Sequence, residues 1–119
     1  GLSVRQIQAD RLGAARRAAA EWNSIVVLKG SRTVVAFPDG ELFVNPTGNA
    51  GMATGGSGDV LAGMIAALIA QGLSSHDAAV VGVYLHGMAG DQAASGRPVG
   101  LTALDIAEQT PAAIYSLMV

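Results

Sequence analysis

The sequence predicts an α/β fold of packed layers, and three observations carry that prediction. A short aliphatic run at 25–28 is followed by an aspartate–glycine turn between two further apolar runs, the mark of a hairpin. A glycine-rich stretch then leads into an apolar segment of helical length. Two more helical segments complete the chain, so strands come first and helices follow.

Val4 to Trp22 reads as one amphipathic surface helix. Ser3 and Gln6 have capping-box spacing, and Ile7, Leu12, Ala15 and Ala19 recur among Arg5, Arg11, Arg16 and Arg17. Arginines of this kind can contact phosphate, but a solvated helix face is the reading taken. Ile25 to Leu28 is continuously aliphatic, the pattern of a strand covered on both faces, as in a parallel sheet between helices. Thr33 to Phe37 and Leu42 to Val44 flank Pro38, Asp39, Gly40 and Glu41 and form the predicted hairpin.

From Asn45 to Gly58 the composition changes to Asn, Pro, Thr, Gly and Ser, which is a long loop and therefore a candidate functional one. The first helix after it is expected from about Asp59 to Gln71 and buried, with Gly72 as a left-handed cap. A second begins near Ser74, which with Asp77 can form a capping box, and 78–89 is apolar nearly all round. Thr102 with Asp105 opens the third, which runs to about Leu117 and is kinked or divided at Pro111.

Of 119 residues, half are hydrophobic and 13% charged, enough apolar surface for one domain with a sizeable core. A net charge of -2 offers no broad attraction for nucleic acid or an acidic membrane, so any phosphate must be held locally. The absence of cysteine fits a reducing compartment, and cytoplasm is the expected location. The apolar run from Val60 to Ala70 is shorter than a membrane span, and the start lacks a secretion-signal pattern, so a soluble protein is expected. Helices apolar on every side need covering, which an oligomer or further chain would supply.

The chemistry concentrates in Gly51 to Gly63, GMATGGSGDVLAG. Gly55, Gly56 and Gly58 let the backbone turn tightly and approach a ligand, while the first amides of the next helix have no intrahelical partner. Together with the helix dipole they make a site for phosphate or a developing oxyanion. Asp59 stands where a carboxylate also simply stabilises a helix start, by roughly 0.3 to 1 kcal/mol. A plain cap does not require a costly glycine loop before it, and that favours a functional carboxylate.

The loop is neither of the two commonest nucleotide signatures. Gly51 to Gly56 has the gap of a Walker loop, but Ser57 and Gly58 follow where Lys and Ser/Thr are needed. Gly56 and Gly58 lack a third glycine three residues on, where Leu61 stands. Lys29, Gly30, Ser31, Arg32 and Thr33 lie just past the end of the aliphatic strand, where open α/β sheets place ligands. Two readings stay open for them, a ligand loop or a strand end in solvent. His76 and His86 show no metal-ligand pattern and receive no role. Asp91 is out of place near a helix C-terminus and either caps a turn or binds a partner.

With VVLKG upstream, NPTGNAGM leading in and GVYLHGMAGDQAA downstream of GGSGD, the chain resembles the carboxy-terminal part of the NAD(P)H-hydrate dehydratases of the ribokinase-like superfamily. The resemblance covers nearly the whole chain and implies the carboxy-terminal portion of a three-layer α/β fold. It implies removal of water from the hydrated nicotinamide ring of NADHX or NADPHX, driven by ADP or ATP with Mg2+ on the phosphates, in a homo-oligomer. By resemblance, Lys29, Gly30, Ser31, Arg32, Thr33 and Gly58 contact the nucleotide, and Asp59 is both the hydrate contact and the catalytic residue. Gly56, Ser57 and Gly58 would form the anion hole, and no protein residue is assigned to a metal.

Relative to that family the chain lacks the amino-terminal half, so residues 1–119 are expected to be one fragment of a single domain, inactive alone. The competing enzyme reading is a vitamin-precursor or sugar kinase of the same superfamily. A non-catalytic assembly module is the alternative from another class.

Overall fold

The structure, a computed structural model, describes residues 3, 5, 10–95 and 99–118. Gln6 of the expected Ser3–Gln6 capping box lies outside the described residues. Helix α1 spans Arg11–Trp22 and is opened by Asp10, whose carboxylate accepts the Gly13 N–H. Asp10 has φ -139°, so one continuous helix from Val4 to Trp22 does not form. A short acidic side chain that satisfies an orphan amide competes with helix continuation there. Asn23 closes α1 in the left-handed region at φ 48°, which Asn tolerates.

Strands β1 (Val26–Leu28), β2 (Val34–Ala36) and β3 (Leu42–Val44) form a sheet of order β1-β2-β3, antiparallel throughout. Val27 pairs with Val35, and Val35 with Phe43. The predicted hairpin is present. Its turn is closed by the Phe37 N–H on the Glu41 carbonyl and by the Asp39 carboxylate on the Glu41 N–H, with Gly40 at φ 95°. The expectation for 25–28 is half corrected, because β1 pairs antiparallel with β2 and is only half-buried.

The apolar run of β1 reflects a sheet with a core on each face. Val26, Leu28, Val34, Ala36 and Leu42 face Ala15 and Ala19 of α1. The alternate residues Val27, Val35, Phe37 and Phe43 face Leu61, Ile65, Ala79 and Val83 on the other side. Period-two alternation thus builds three layers. Burial of side chains such as Val35, Phe37 and Val83 contributes about 1.5–3 kcal/mol each before entropy is counted.

The second layer of helices is α2 (Ser57–Ala70) and α3 (Ser75–Ala93), with α4 (Ala103–Met118) packed on both. Leu85 and Ala89 of α3 meet Leu101, Ile106 and Ala113 in a third core cluster. Ser74 caps α3 by accepting the Asp77 N–H. Thr102 and Asp105 form a complete capping box, each side chain taking the other's amide at 3.2 and 3.0 Å. Pro111 does not divide α4, which is continuous to Met118.

Helix α2 starts two residues earlier than expected, at Ser57, and Gly72 follows it at φ 107°. It is not the buried helix anticipated. Only Ser57 and Leu61 are buried, while Ala62, Ala66, Ile69 and Ala70 face outward. On α4, Ile114, Tyr115, Leu117 and Met118 are likewise exposed. No helix among the described residues is long and apolar enough to cross a membrane.

Candidate active site

The strand ends and the long loop meet at the start of α2. Asn45 leaves β3 and is buried. Its Nδ2 donates to the Val83 carbonyl at 2.9 Å, which pins the loop to the middle of α3. Thr47 donates through its hydroxyl to the Tyr84 carbonyl, also at 2.9 Å. The close approach needs Gly87, since a Cβ there would run into the Thr47 side chain and backbone.

Asp91 holds the next part of the loop, accepting both the Gly48 N–H and the Asn49 Nδ2 at 2.9 Å. Its odd position near the end of α3 is therefore explained by a partner in the loop. Asn49 in turn caps a single 3₁₀ turn, Ala50–Met52, by accepting the Gly51 N–H. The loop reaches α2 through Gly56, whose φ of 88° suits glycine and which serves as N-cap without a side-chain bond.

His86 fixes that helix start from below. Its Nε2 is 3.0 Å from the Ser57 carbonyl and 3.4 Å from the Ser57 hydroxyl. A carbonyl only accepts, so Nε2 carries the proton. Burial pushes the His86 imidazole below its ordinary range. The Ser57 carbonyl opposes this, and the Lys29 charge adds to it. The ring is thus a neutral donor near pH 7.

On the sheet side, Lys29 to Thr33 connects β1 to β2 and faces α2. The Lys29 Nζ lies 3.5 Å from where a Cβ on Gly58 would stand. The residues of the two sequence motifs, separate in the chain, are brought together here. A cavity of about 380 Å³ opens between them, lined by Lys29, Gly30, Ser31, Thr33, Ser57 and His86 and by the Asn45–Ala53 loop. A smaller recess of about 210 Å³ lies on the far side of Lys29, against Gly58 and Leu61.

Asp59 is exposed in the first turn of α2 and lines neither space. Arg32 is also outside the cavity lining, and its carbonyl accepts from Arg11 Nη1 at 2.9 Å. Among the expected anion-hole amides, the Ser57 N–H is directed at the Thr54 carbonyl at 3.2 Å. The Gly58 and Asp59 amides are those that helix geometry leaves open. Among the described residues no three His, Cys, Asp or Glu side chains converge on one point.

Sequence reasoning left three contributors without a site role. Arg11 was read as part of a solvated face, and His86 was set aside as a core histidine. Asp91 carried a usable signal, a carboxylate at the unfavourable end of a helix.

A three-layer α/β body with a glycine-capped helix start beside a lysine loop has ribokinase-like architecture. The profile of the NAD(P)H-hydrate dehydratase family matches residues 1–112, and the chain belongs to that family. It is 50% identical over 109 residues to the ADP-dependent (S)-NAD(P)H-hydrate dehydratase of Neisseria meningitidis, covering 90% of this chain and 37% of that protein. To the bifunctional NAD(P)H-hydrate repair enzyme of Moorella thermoacetica it is 57% identical over 97 residues, 82% of this chain and 18% of that protein.

Among solved structures, that of the ADP/ATP-dependent NAD(P)H-hydrate dehydratase from Bacillus subtilis, co-crystallised with ATP and Mg2+, superposes with TM-score 0.90 at 35% identity. The match covers 98% of this chain and 42% of that one. The chain therefore spans less than half the length of each of these relatives.

Proposed function

We propose that the protein to which this chain contributes dehydrates NADHX or NADPHX back to NAD(P)H at the expense of ADP or ATP, ADP being the favoured nucleotide. In this reading residues 1–119 form the carboxy-terminal part of one ribokinase-like domain in a cytoplasmic homo-oligomer with no nucleic-acid partner. The observation that carries it is the approach of Lys29 to Gly58, which puts a cation from one loop beside the first turn of a helix. A cation beside a helix start favours a negatively charged group at that end of the helix.

The proposed roles combine that observation with the family resemblance. Lys29 to Thr33 and Gly58 hold the nucleotide, and the open Gly58 and Asp59 amides take the terminal phosphoryl oxygens. Asp59, exposed on the same turn, accepts the proton of the ring hydroxyl as that oxygen attacks phosphorus. The bond to the nucleotide's bridging oxygen breaks as the new oxygen–phosphorus bond forms. Phosphate then leaves with the carbon–oxygen electron pair, and the neighbouring ring carbon gives up a proton to restore the double bond. Any Mg2+ belongs to the phosphates of the incoming nucleotide in this reading.

The test is an assay of the full-length gene product with hydrated NADH and ADP or ATP. Recovery of NADH with stoichiometric phosphate release supports the proposal. A stable phosphorylated product from a vitamin precursor or sugar, without NADH recovery, would replace it with a kinase.

A further inference from the structure

The guanidinium of Arg11, the first residue of α1, donates from Nη2 to the Leu28 carbonyl at 3.0 Å and from Nη1 to the Arg32 carbonyl at 2.9 Å. These two acceptors bracket Lys29, Gly30 and Ser31, so one planar group ties together both ends of the connection between β1 and β2. Gly30 lies directly against the fork. A Cβ on it would stand 2.5 Å from Arg11 Nη2 and 2.7 Å from Cζ, a distance no side chain can keep. No carboxylate pairs with Arg11 among the described residues.

We infer that Arg11 is a positioning residue for nucleotide binding, holding the Lys29–Arg32 backbone in the curvature that directs Lys29 toward Gly58. The inference rests on the proposed nucleotide role of that loop. Arginine suits the task because its fork is rigid and planar, whereas a lysine ammonium is a single point that cannot bridge two carbonyls in fixed geometry. Gly30 is the matching half of the device, since its missing side chain is the room the guanidinium occupies.

Four variants of the full-length gene product test this: Arg11→Ala, Arg11→Lys, Gly30→Ala and the double variant Arg11→Ala/Gly30→Ala, with Lys29→Ala as the control for the loop itself. Arg11→Ala is expected to raise the nucleotide KM about tenfold, with kcat and the hydrate KM changing less than about twofold. Arg11→Lys, which keeps the stem and the charge, restores only part of the loss, and it serves as the reading if Arg11→Ala does not fold.

Gly30→Ala should reproduce the Arg11→Ala pattern, and the double variant should be no worse than Gly30→Ala, because both remove the same contact. If Lys29→Ala raises the nucleotide KM while Arg11→Ala and Arg11→Lys leave it unchanged, Arg11 is a structural staple only and the inference is overturned. If Lys29→Ala also leaves it unchanged, the nucleotide reading of the loop falls first, and the inference with it.

Discussion

The imidazole of His86, in the middle of α3, donates through Nε2 to the carbonyl of Ser57, the first residue of α2, at 3.0 Å. A side chain buried in one helix thereby anchors the start of the preceding helix, where the Gly58 and Asp59 amides lie.

Acid should weaken this join. Burial holds the folded pKa of His86 below the ordinary 6.5, so the folded state prefers the neutral ring. The contribution is present above 6.5 and is lost as pH falls through the lower folded value, because the unfolded chain binds the proton first. Denaturant melts across this range should show stability falling with acid, and His86→Gln, which keeps an N–H donor without titrating, should flatten that slope. His86→Phe should cost about 0.5–1.5 kcal/mol at neutral pH by removing a buried hydrogen bond to the Ser57 carbonyl, which keeps its helical partner.

Asp59→Asn separates chemistry from folding. The side chain is exposed, so the unfolding midpoint and assembly should barely move. Turnover of the full-length protein should fall by about 10²–10⁴-fold, the range for a lost general base. Unchanged turnover would remove Asp59 from the mechanism and favour an assembly module.

Two glycines on one helix should answer differently to alanine. Each gains about 1 kcal/mol of helix propensity from the substitution. At Gly90 the new methyl meets the Met52 side chain, whose end can swing away, and the net change should be close to zero. At Gly87 it would lie 2.7 Å from the Thr47 carbonyl carbon and 2.8 Å from its Cβ, so the loop itself must move. Overpacking there costs about 1–3 kcal/mol or more, and thermal unfolding should rank Gly87→Ala well below Gly90→Ala.

The 119-residue polypeptide by itself is expected to recover no NADH from its hydrate. Its α2 and α4 present Ile69, Ile114, Tyr115, Leu117 and Met118 to solvent, and faces of this kind associate. Sedimentation at rising concentration should reveal self-association, and measurable turnover by the isolated polypeptide would contradict the expectation.

Much of this was legible in the residues alone. The Asp39–Gly40 turn, the Ser74 cap, the capping box at Thr102 and the glycine entry to α2 are local devices, each determined by residues within a few positions of the backbone they satisfy. The family signature in GMATGGSGDVLAG and its neighbours is equally local, and it named the family. Tertiary structure decided what depends on residues far apart in the chain. It paired β1 antiparallel, turned Arg11 from a solvated charge into a clamp across 28–32, and gave Asp91 its acceptor role toward Gly48 and Asn49. It also set Lys29 against Gly58. The physical reason is range: caps and turns are satisfied within one or two turns of chain, whereas a carbonyl, a guanidinium or a cavity wall takes its partner from whichever element the fold brings beside it.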